Sequence, residues 1–184
     1  MVTVGIDEVG RGCWAGPMVA AAVIIKRPIA GLKDSKMLTR QQREELSAII
    51  YEQALATGMG WVEVAEIDSI GLTAANGLAM RRALEQIVID YDEVIIDGKI
   101  NYLLDNPKAR VVIKADATVP AVSAASIIAK VARDKYMVDI AERFPEYGFE
   151  RHVGYGTALH LENLRLHGVS VLHRRSFKPV SALL

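Results

Sequence analysis

Residues 2–26, VTVGIDEVGRGCWAGPMVAAAVIIK, contain two short apolar runs on either side of a glycine-rich stretch. The runs Val2–Asp7 and Pro17–Lys26 are rich in β-branched and small apolar residues, which is typical of strands. The glycines between the runs indicate a turn. The pattern therefore predicts two neighbouring antiparallel strands, and it places Asp7 and Glu8 where the first strand ends.

Hydrophobic periodicity extends this arrangement along the chain. Thr39 and Gln42 have the spacing of a capping box, so we expect a helix to begin near Thr39 and to continue through apolar residues as far as Ala54. The further predicted elements are a strand at Gly60–Ile67, a helix with the apolar stripe Met80, Leu84, Ile87 and Val88, strands at Glu93–Asp97 and Arg110–Lys114, and a long helix from Pro120 to about Arg143. This order predicts an α/β fold with a mixed five-stranded sheet flanked by helices.

The length of 184 residues allows one substantial core. We therefore expect a single domain spanning residues 1–184, with a small helical segment at about residues 148–184. The formal net charge is +0, but basic residues cluster between Lys26 and Arg43 and again after Arg151, while acidic residues concentrate between Glu63 and Asp105. An asymmetric charge of this kind is compatible with a nucleic-acid partner and also with an ordinary solvated surface.

Several classes of protein are disfavoured by the composition. The single cysteine, Cys13, cannot form an intramolecular disulfide, and the longest apolar run, Pro17–Ile25, is far shorter than the roughly 20 residues of a membrane span. No phosphate-binding glycine loop ends in Gly-Lys-Ser/Thr, and the four histidines lack the spacing of a zinc site. We expect a cytoplasmic protein, a monomer, without membrane association.

Carboxylates recur at the predicted strand ends. Asp7 and Glu8 end the first strand, Asp97 ends the fourth, and Asp116 follows the fifth by a few residues. If they converge at one edge of the sheet, their mutual repulsion requires cations, and hard oxygen ligands favour Mg²⁺ or Mn²⁺. Each carboxylate alone is better explained as a turn residue, a loop cap or a solvated strand end, and periodicity does not establish that they converge.

An ordered set of motifs resembles ribonuclease HII, the bacterial type 2 ribonuclease H family. The first is DEVGRGCWAGP at residues 7–17, and the others follow in order along nearly the whole chain. They are LKDSK at 32–36, IDG at 96–98, KAD at 114–116, SAASIIAKV at 123–131, GYGT at 154–157 and HRRSF at 173–177. The resemblance implies an RNase H-like fold and a divalent-metal endonuclease that leaves 3′-hydroxyl and 5′-phosphate ends.

The resemblance also implies roles for individual residues. Asp7, Glu8, Asp97 and Asp116 match the catalytic, metal-binding carboxylates, which would hold two Mg²⁺ or Mn²⁺ ions. Gly10, Arg11 and Gly12 match the tripeptide that reads the ribonucleotide through its backbone and 2′-hydroxyl, the group that distinguishes RNA from DNA. Tyr155 matches the tyrosine that packs at the ribonucleotide–deoxyribonucleotide junction. The implied substrates are RNA–DNA hybrids and DNA duplexes with embedded ribonucleotides, nicked on the 5′ side of the ribonucleotide.

Further substrate contacts are predicted from charge and spacing. Lys33, Ser35 and Lys36 lie in the basic stretch, where cations and hydroxyls can position a phosphate backbone. On the long helix, one face carries Ser123, Ser126, Lys130 and Arg133. This face either contacts phosphates or is a solvated or core-satisfying polar face.

Cys13-Trp14 departs from the family, which more usually has proline and a small or aliphatic residue. We interpret Cys13 as a packed residue rather than a nucleophile. Trp14 affects either packing or substrate contact.

Two other functions stay open beside the endoribonuclease: a non-catalytic hybrid-binding module, and a different metal-dependent nuclease or phosphotransferase on the same fold.

Overall fold

The computed structural model describes residues 1–184, and its centre is one mixed sheet of five strands. The strands are β1 (Thr3–Val9), β2 (Met18–Ile25), β3 (Ala54–Val62), β4 (Glu93–Asp97) and β5 (Ala109–Val112). They lie in the order β3-β2-β1-β4-β5. The pairs β1–β2 and β2–β3 are antiparallel, whereas β1–β4 and β4–β5 are parallel. The predicted α/β fold with a mixed five-stranded sheet is confirmed.

The chain also forms eight α-helices. They are α1 (Arg40–Gln53), α2 (Val64–Ile70), α3 (Leu72–Leu84), α4 (Ala115–Thr118), α5 (Pro120–Ala141), α6 (Phe149–His152), α7 (Ala158–His167) and α8 (Lys178–Ser181). Short 3₁₀ turns occupy Ser35–Met37 and Pro145–Tyr147. None of the helices combines the length and apolar character that crossing a bilayer requires.

The sheet buries both faces because side chains alternate along its central strands. Ile6 and Ala22 point to one face and pack against α2 and α3, whereas Ala21 and Val23 point to the other and pack against α1 and α5. Gly5 brings α5 very close to β1, since a Cβ at this position would overlap the backbone of Ala121. The first turns of α5 therefore lie directly against the strand that carries Asp7.

The C-terminal segment forms a third packing unit. Residues of α6 to α8 pack with the end of α5 around Met137, Phe149 and Leu164. This segment also reaches the loop between β1 and β2, where Ala15 and His173 form an isolated antiparallel bridge. The residues after β1 are thus held from the far end of the sequence.

The boundaries of three predicted elements were wrong. The third strand is Ala54–Val62 rather than Gly60–Ile67, because Glu63 and Glu66 form a capping box that begins α2. Its glycines 58 and 60 weaken the strand signal, yet they let α3 pack closely against the sheet. The second predicted helix ends at Leu84, and Val88 is 92% exposed. The fifth strand ends at Val112, before Lys114 adopts a left-handed conformation with φ 58°.

The predicted start of α1 is confirmed by its cap. The Thr39 hydroxyl accepts a hydrogen bond from the Gln42 backbone N–H at 3.2 Å, and the Gln42 side chain accepts one from the Thr39 N–H at 2.9 Å. This reciprocal pair satisfies two backbone donors that the first turn of a helix leaves free. The long helix α5 also begins at the predicted Pro120.

Candidate metal centre and substrate cavity

Three carboxylates meet at one edge of the sheet. Asp7 lies on β1, Asp97 is the last residue of the neighbouring parallel strand β4, and Asp116 lies in the short helix α4. Each offers an oxygen atom, and these atoms lie within 4.8 Å of one another. Parallel pairing places the ends of β1 and β4 side by side, and the left-handed turn at Lys114 leads the chain into α4 beside them.

Hydrogen bonds from the backbone hold this arrangement. The Glu8 N–H donates to Asp7 Oδ1 at 2.8 Å, and the Ala115 N–H donates to Asp97 Oδ1 at 2.7 Å. The latter bond joins β4 directly to α4. The Ser123 hydroxyl of α5 donates to the carbonyl of Asp116, which anchors α4 to the long helix.

The electrostatics of the cluster disfavour its charged form in the protein alone. Burial raises the pKa of Asp7 well above its usual range, and the Glu8 and Asp97 carboxylates add to the increase. Burial also raises the pKa of Asp116, with contributions from Asp97 and Asp34 that the Lys36 ammonium opposes. The Lys36 Nζ lies 3.8 Å from Asp116 Oδ2. A divalent cation relieves this repulsion, and an all-oxygen donor set suits Mg²⁺ or Mn²⁺.

Glu8 lies near the cluster but outside its tightest part. Alternation along β1 sends its side chain toward the opposite face from Asp7, although both side chains line the same cavity. Burial raises the pKa of Glu8, and the neighbouring Asn76 amide and Arg11 guanidinium oppose the increase. Asn76 is fully buried on α3, and neither atom of its amide has a well-formed hydrogen bond.

A cavity of about 270 Å³ joins the carboxylates to most of the predicted substrate residues. Asp7, Glu8 and Asp97 form its acidic side. The other predicted residues that line it are Gly10, Arg11, Gly12, Ser35, Lys36, Ser126, Lys130 and Tyr155. A second opening shares Asp97 and Lys36 with this cavity and also contains Asp116, Lys99 and Lys114. Lysine side chains therefore line both openings beside the carboxylates.

Two buried guanidinium groups hold the loop that carries Gly10–Gly12. Arg174 donates to the carbonyl of Arg11 at 3.2 Å and to that of Gly16 at 2.8 and 3.0 Å. Arg133 donates to the carbonyls of Pro17, Ala15 and Val153 at 2.9, 3.0 and 2.8 Å. Burial lowers the pKa of Arg174 to about 10, which leaves it protonated at neutral pH. The conformation of the tripeptide loop therefore depends on side chains from α5 and the C-terminal segment.

Tyr155 presents a partly exposed ring beside this loop. Its side chain is 38% exposed, and the Lys130 Nζ lies 5.2 Å from the centre of its ring. Burial, followed by the neighbouring Cys13, raises the pKa of the Tyr155 hydroxyl to about 12. The phenol is therefore a neutral group that offers an aromatic face to the cavity.

Cys13 and Trp14 pack beneath the segment that carries Tyr155. Cys13 is fully buried, and burial raises the pKa of its thiol, so the structure bears out its interpretation as a packed residue. The indole of Trp14 lies against Gly156, where a Cβ would overlap it. Trp14 thus acts in packing, under the residue next to Tyr155.

Some predicted contacts are not brought to the cavity. Lys33 is exposed and lines a separate groove beside α1. Arg133 and Ser123 are buried and bonded to backbone carbonyls, so for these two residues the structure selects the core-satisfying alternative over phosphate contact. Ser126 and Ser35 both line the cavity, with their hydroxyl oxygens 2.9 Å apart.

Sequence reasoning missed Arg43, Asn76 and a role for Arg174. Arg43 lines the cavity and donates to the carbonyls of Ser35 and Leu38 at 3.1 and 2.6 Å. The helical spacing of α1 and α3 was visible, but which polar side chains turn inward depends on the packing of the helices. For Arg174, the HRRSF motif was the available signal.

Comparison with known proteins gives consistent matches over nearly the whole chain. The sequence model described as Ribonuclease HII matches residues 4–180. The Ribonuclease HII of Marinomonas sp. (strain MWYL1) is 50% identical over 184 residues, which cover 98% of this chain and 92% of that protein. That of Halorhodospira halophila is also 50% identical, with 98% and 94% covered.

Solved structures agree with the fold. The ribonuclease H2 of Pyrococcus horikoshii superposes with a TM-score of 0.84 at 26% identity and covers 100% of this chain and 97% of its own. The RNase HII of Archaeoglobus fulgidus, solved in complex with PCNA, has a TM-score of 0.82 at 25% identity, with 97% and 96% covered. Bst-RNase HIII in complex with Mn²⁺ has a TM-score of 0.76 at 24% identity, and covers 98% of this chain but 68% of its own.

Proposed function

The chain belongs to the ribonuclease HII family and is a ribonuclease H, and we propose on this premise that it hydrolyses the RNA strand of RNA–DNA hybrids and nicks DNA duplexes on the 5′ side of embedded ribonucleotides. The products are 3′-hydroxyl and 5′-phosphate ends. The observation that carries the proposal is that Asp7 and Asp97 of the carboxylate cluster, together with Glu8, line the same cavity as Gly10–Gly12 and Tyr155.

The proposed metal ligands are Asp7, Glu8, Asp97 and Asp116. The close approach of the Asp7, Asp97 and Asp116 oxygens supports a Mg²⁺ or Mn²⁺ site there, Glu8 would serve a second ion, and a structural relative was solved with Mn²⁺. When bound, such ions supply Lewis-acid activation of water and stabilisation of the leaving oxygen. The protein contributes a fixed set of carboxylates, held by the backbone bonds to Asp7 and Asp97.

The proposed substrate contacts surround this cluster. The backbone of Gly10, Arg11 and Gly12 approaches the 2′-hydroxyl, and the ring of Tyr155 packs at the junction between ribonucleotide and deoxyribonucleotide. Lys36 and Ser35 position the phosphate backbone without reading sequence. Arg43 and Lys130 line the same cavity and extend this cationic surface. Lys33 lies apart from the cavity, so its contact would be with duplex beyond the cleavage site.

The direct test uses a DNA duplex with one ribonucleotide, incubated with Mg²⁺, with Mn²⁺ and with chelator. We expect a nick on the 5′ side of the ribonucleotide with either metal, and no nick with chelator or with Asp7→Asn. Tight binding without any nick would favour the hybrid-binding module instead. Equal cleavage of RNA–RNA or DNA–DNA duplexes would favour a different metal-dependent nuclease.

A further inference from the structure

Three histidines lie together beneath the segment that carries Tyr155. His152, His160 and His173 are all buried, and the rings of His152 and His160 stack with their centres 4.3 Å apart. The Nε2 atoms of His160 and His173 are 3.0 Å apart, which is a hydrogen-bond distance. Only His173 lies in one of the sequence motifs, HRRSF at 173–177, and neither the carboxylate cluster nor the cavity uses any of the three.

Backbone groups determine which nitrogen of each ring carries the proton. The Ser170 N–H donates to His173 Nδ1 at 3.1 Å, so in the neutral ring the proton of His173 is on Nε2. That N–H donates to His160 Nε2, which must therefore be an acceptor. The proton of His160 is then on Nδ1, which lies 2.9 Å from the Tyr155 carbonyl oxygen and donates to it.

Backbone groups also determine the protonation of the third ring. The Gly154 N–H donates to His152 Nδ1 at 3.2 Å, so His152 Nε2 carries the proton and donates to the Tyr147 carbonyl at 2.9 Å. Every ring nitrogen in the group therefore has a partner. This leaves no lone pair free for a metal ion and distinguishes the group from a zinc site.

The peptide groups of Tyr155 are bonded to the His160 ring and to the main chain of His152 and Thr157. Its carbonyl accepts from His160, and its N–H donates to the carbonyl of His152 at 2.8 Å. The indole of Trp14 lies 5.4 Å from the His160 ring and supports Gly156 from below. The backbone of Tyr155 is thus tied through two imidazoles to Ser170.

We propose that His160 and His173 are positioning residues, forming a relay of two neutral imidazoles that holds the ring of Tyr155 in place for the ribonucleotide–deoxyribonucleotide junction. The proposal rests on the function proposed above and explains how that site acquires junction preference. Burial lowers the pKa of both His160 and His173 to about 4, so both rings are neutral at pH 7. A second proton on His160 would place two N–H groups against each other across 3.0 Å, and one on His173 would face the Ser170 N–H across 3.1 Å.

The activity test compares two substitutions of His160. His160→Phe keeps an aromatic ring against His152 and Trp14 but removes both hydrogen bonds, whereas His160→Asn retains a donor near the position of Nδ1. We expect His160→Phe to lower kcat/KM on a single-ribonucleotide duplex about tenfold, which corresponds to about 1.4 kcal/mol. Its kcat/KM on a long RNA–DNA hybrid, which has no junction, should change less than about threefold. His160→Asn should recover part of the loss.

A double substitution separates positioning from general damage. If His160 acts through Tyr155, adding His160→Phe to Tyr155→Ala will cause no further loss of junction preference. Additive losses would contradict the relay. A parent protein that cuts neither substrate would overturn the proposed function, whereas a His160→Phe variant with full junction preference would overturn the relay alone.

Nitrogen NMR of the folded parent tests the relay without any substrate. We expect His160 to be protonated on Nδ1 alone and His173 on Nε2 alone at pH 7. An imidazolium at either position, or the opposite tautomers, would refute the relay even if the substituted proteins fail to fold.

Discussion

At the residue scale, the carboxylate cluster stores repulsion that a metal ion relieves. Asp7 is 7% exposed, and burial with the carboxylates of Glu8 and Asp97 raises its pKa. A raised pKa in the folded state means that the charged form of Asp7 destabilises the metal-free protein at neutral pH. The same residue that suits a cation thus costs stability in its absence.

We expect Asp7→Asn to remove activity while stabilising the metal-free fold. It removes a charge but little volume, so cleavage should fall by about two orders of magnitude or more, as when one preorganised electrostatic group is lost. The melting temperature without metal should rise. Thermal unfolding in chelator, alongside the exposed control Asp90→Asn, measures this, and a lower melting temperature for Asp7→Asn would contradict it.

Two glycines of the tripeptide allow a test that separates substrate contact from folding. Gly10 has a φ of +89° and no room for a Cβ beside Arg133, whereas Gly12 has an ordinary φ and open space around it. We expect Gly12→Ala to leave the free energy of unfolding within about 1 kcal/mol of the parent but to impair cleavage at single ribonucleotides, because the methyl group blocks the close approach of the 2′-hydroxyl. Gly10→Ala should destabilise the fold itself. Unchanged cleavage by Gly12→Ala would argue against backbone reading of the ribonucleotide.

At the scale of elements, the C-terminal segment and α5 form a clamp on the loop after β1. Arg174 reaches the carbonyls of Arg11 and Gly16 with a planar group that lysine does not reproduce. We expect Arg174→Lys to destabilise the protein by about 1–3 kcal/mol, because buried carbonyls lose their donors, and to weaken junction cleavage. The neighbouring Arg175→Lys is the control, since the Arg175 side chain is exposed. Chemical denaturation and cleavage assays together test this, and equal behaviour of the two variants would contradict the clamp.

The elements also show how far sequence reasoning reached. The strand pair at the N-terminus and the start of α5 were predictable, because apolar runs, glycines and a proline at the first helical position are local signals. The approach of Asp116 to Asp7 was not, since it depends on the left-handed turn at Lys114. The inward position of Arg133 was equally hidden, because its partners are backbone carbonyls distant in sequence.

At the scale of the whole molecule, two groups of titratable residues respond to pH in opposite directions. The raised pKa values of Asp7, Glu8 and Asp116 mean that the metal-free protein gains stability as pH falls through them. His160 and His173 have pKa values lowered from 6.5 to about 4. Their contribution to the free energy of unfolding is therefore complete above pH 6.5 and is lost as pH falls toward 4. Below neutral pH, the change in stability of the metal-free protein is the sum of these two opposite effects.

A divalent metal should shift this balance in a pH-dependent way. Protons compete for the carboxylates, so we expect Mg²⁺ to raise the melting temperature most at neutral pH and progressively less as pH falls through the raised carboxylate pKa values. Melting curves with Mg²⁺ and with chelator between neutral and acidic pH give the difference directly. For Asp7→Asn, the melting temperatures with Mg²⁺ and with chelator should differ little at every pH. A metal-induced shift that is the same at every pH would argue against carboxylate ligands.

The bridge between Ala15 and His173, with the bonds from Arg174 to Arg11 and Gly16, has a consequence for protein synthesis. The carboxylates of β1 and β4 and the helix α5 emerge from the ribosome well before residue 174. The tripeptide loop, however, acquires its last donors only when that residue has left the exit tunnel. A nascent chain can therefore bring its carboxylates together once α5 has emerged, but the loop proposed to read the ribonucleotide lacks these donors until residue 174 has also left the tunnel.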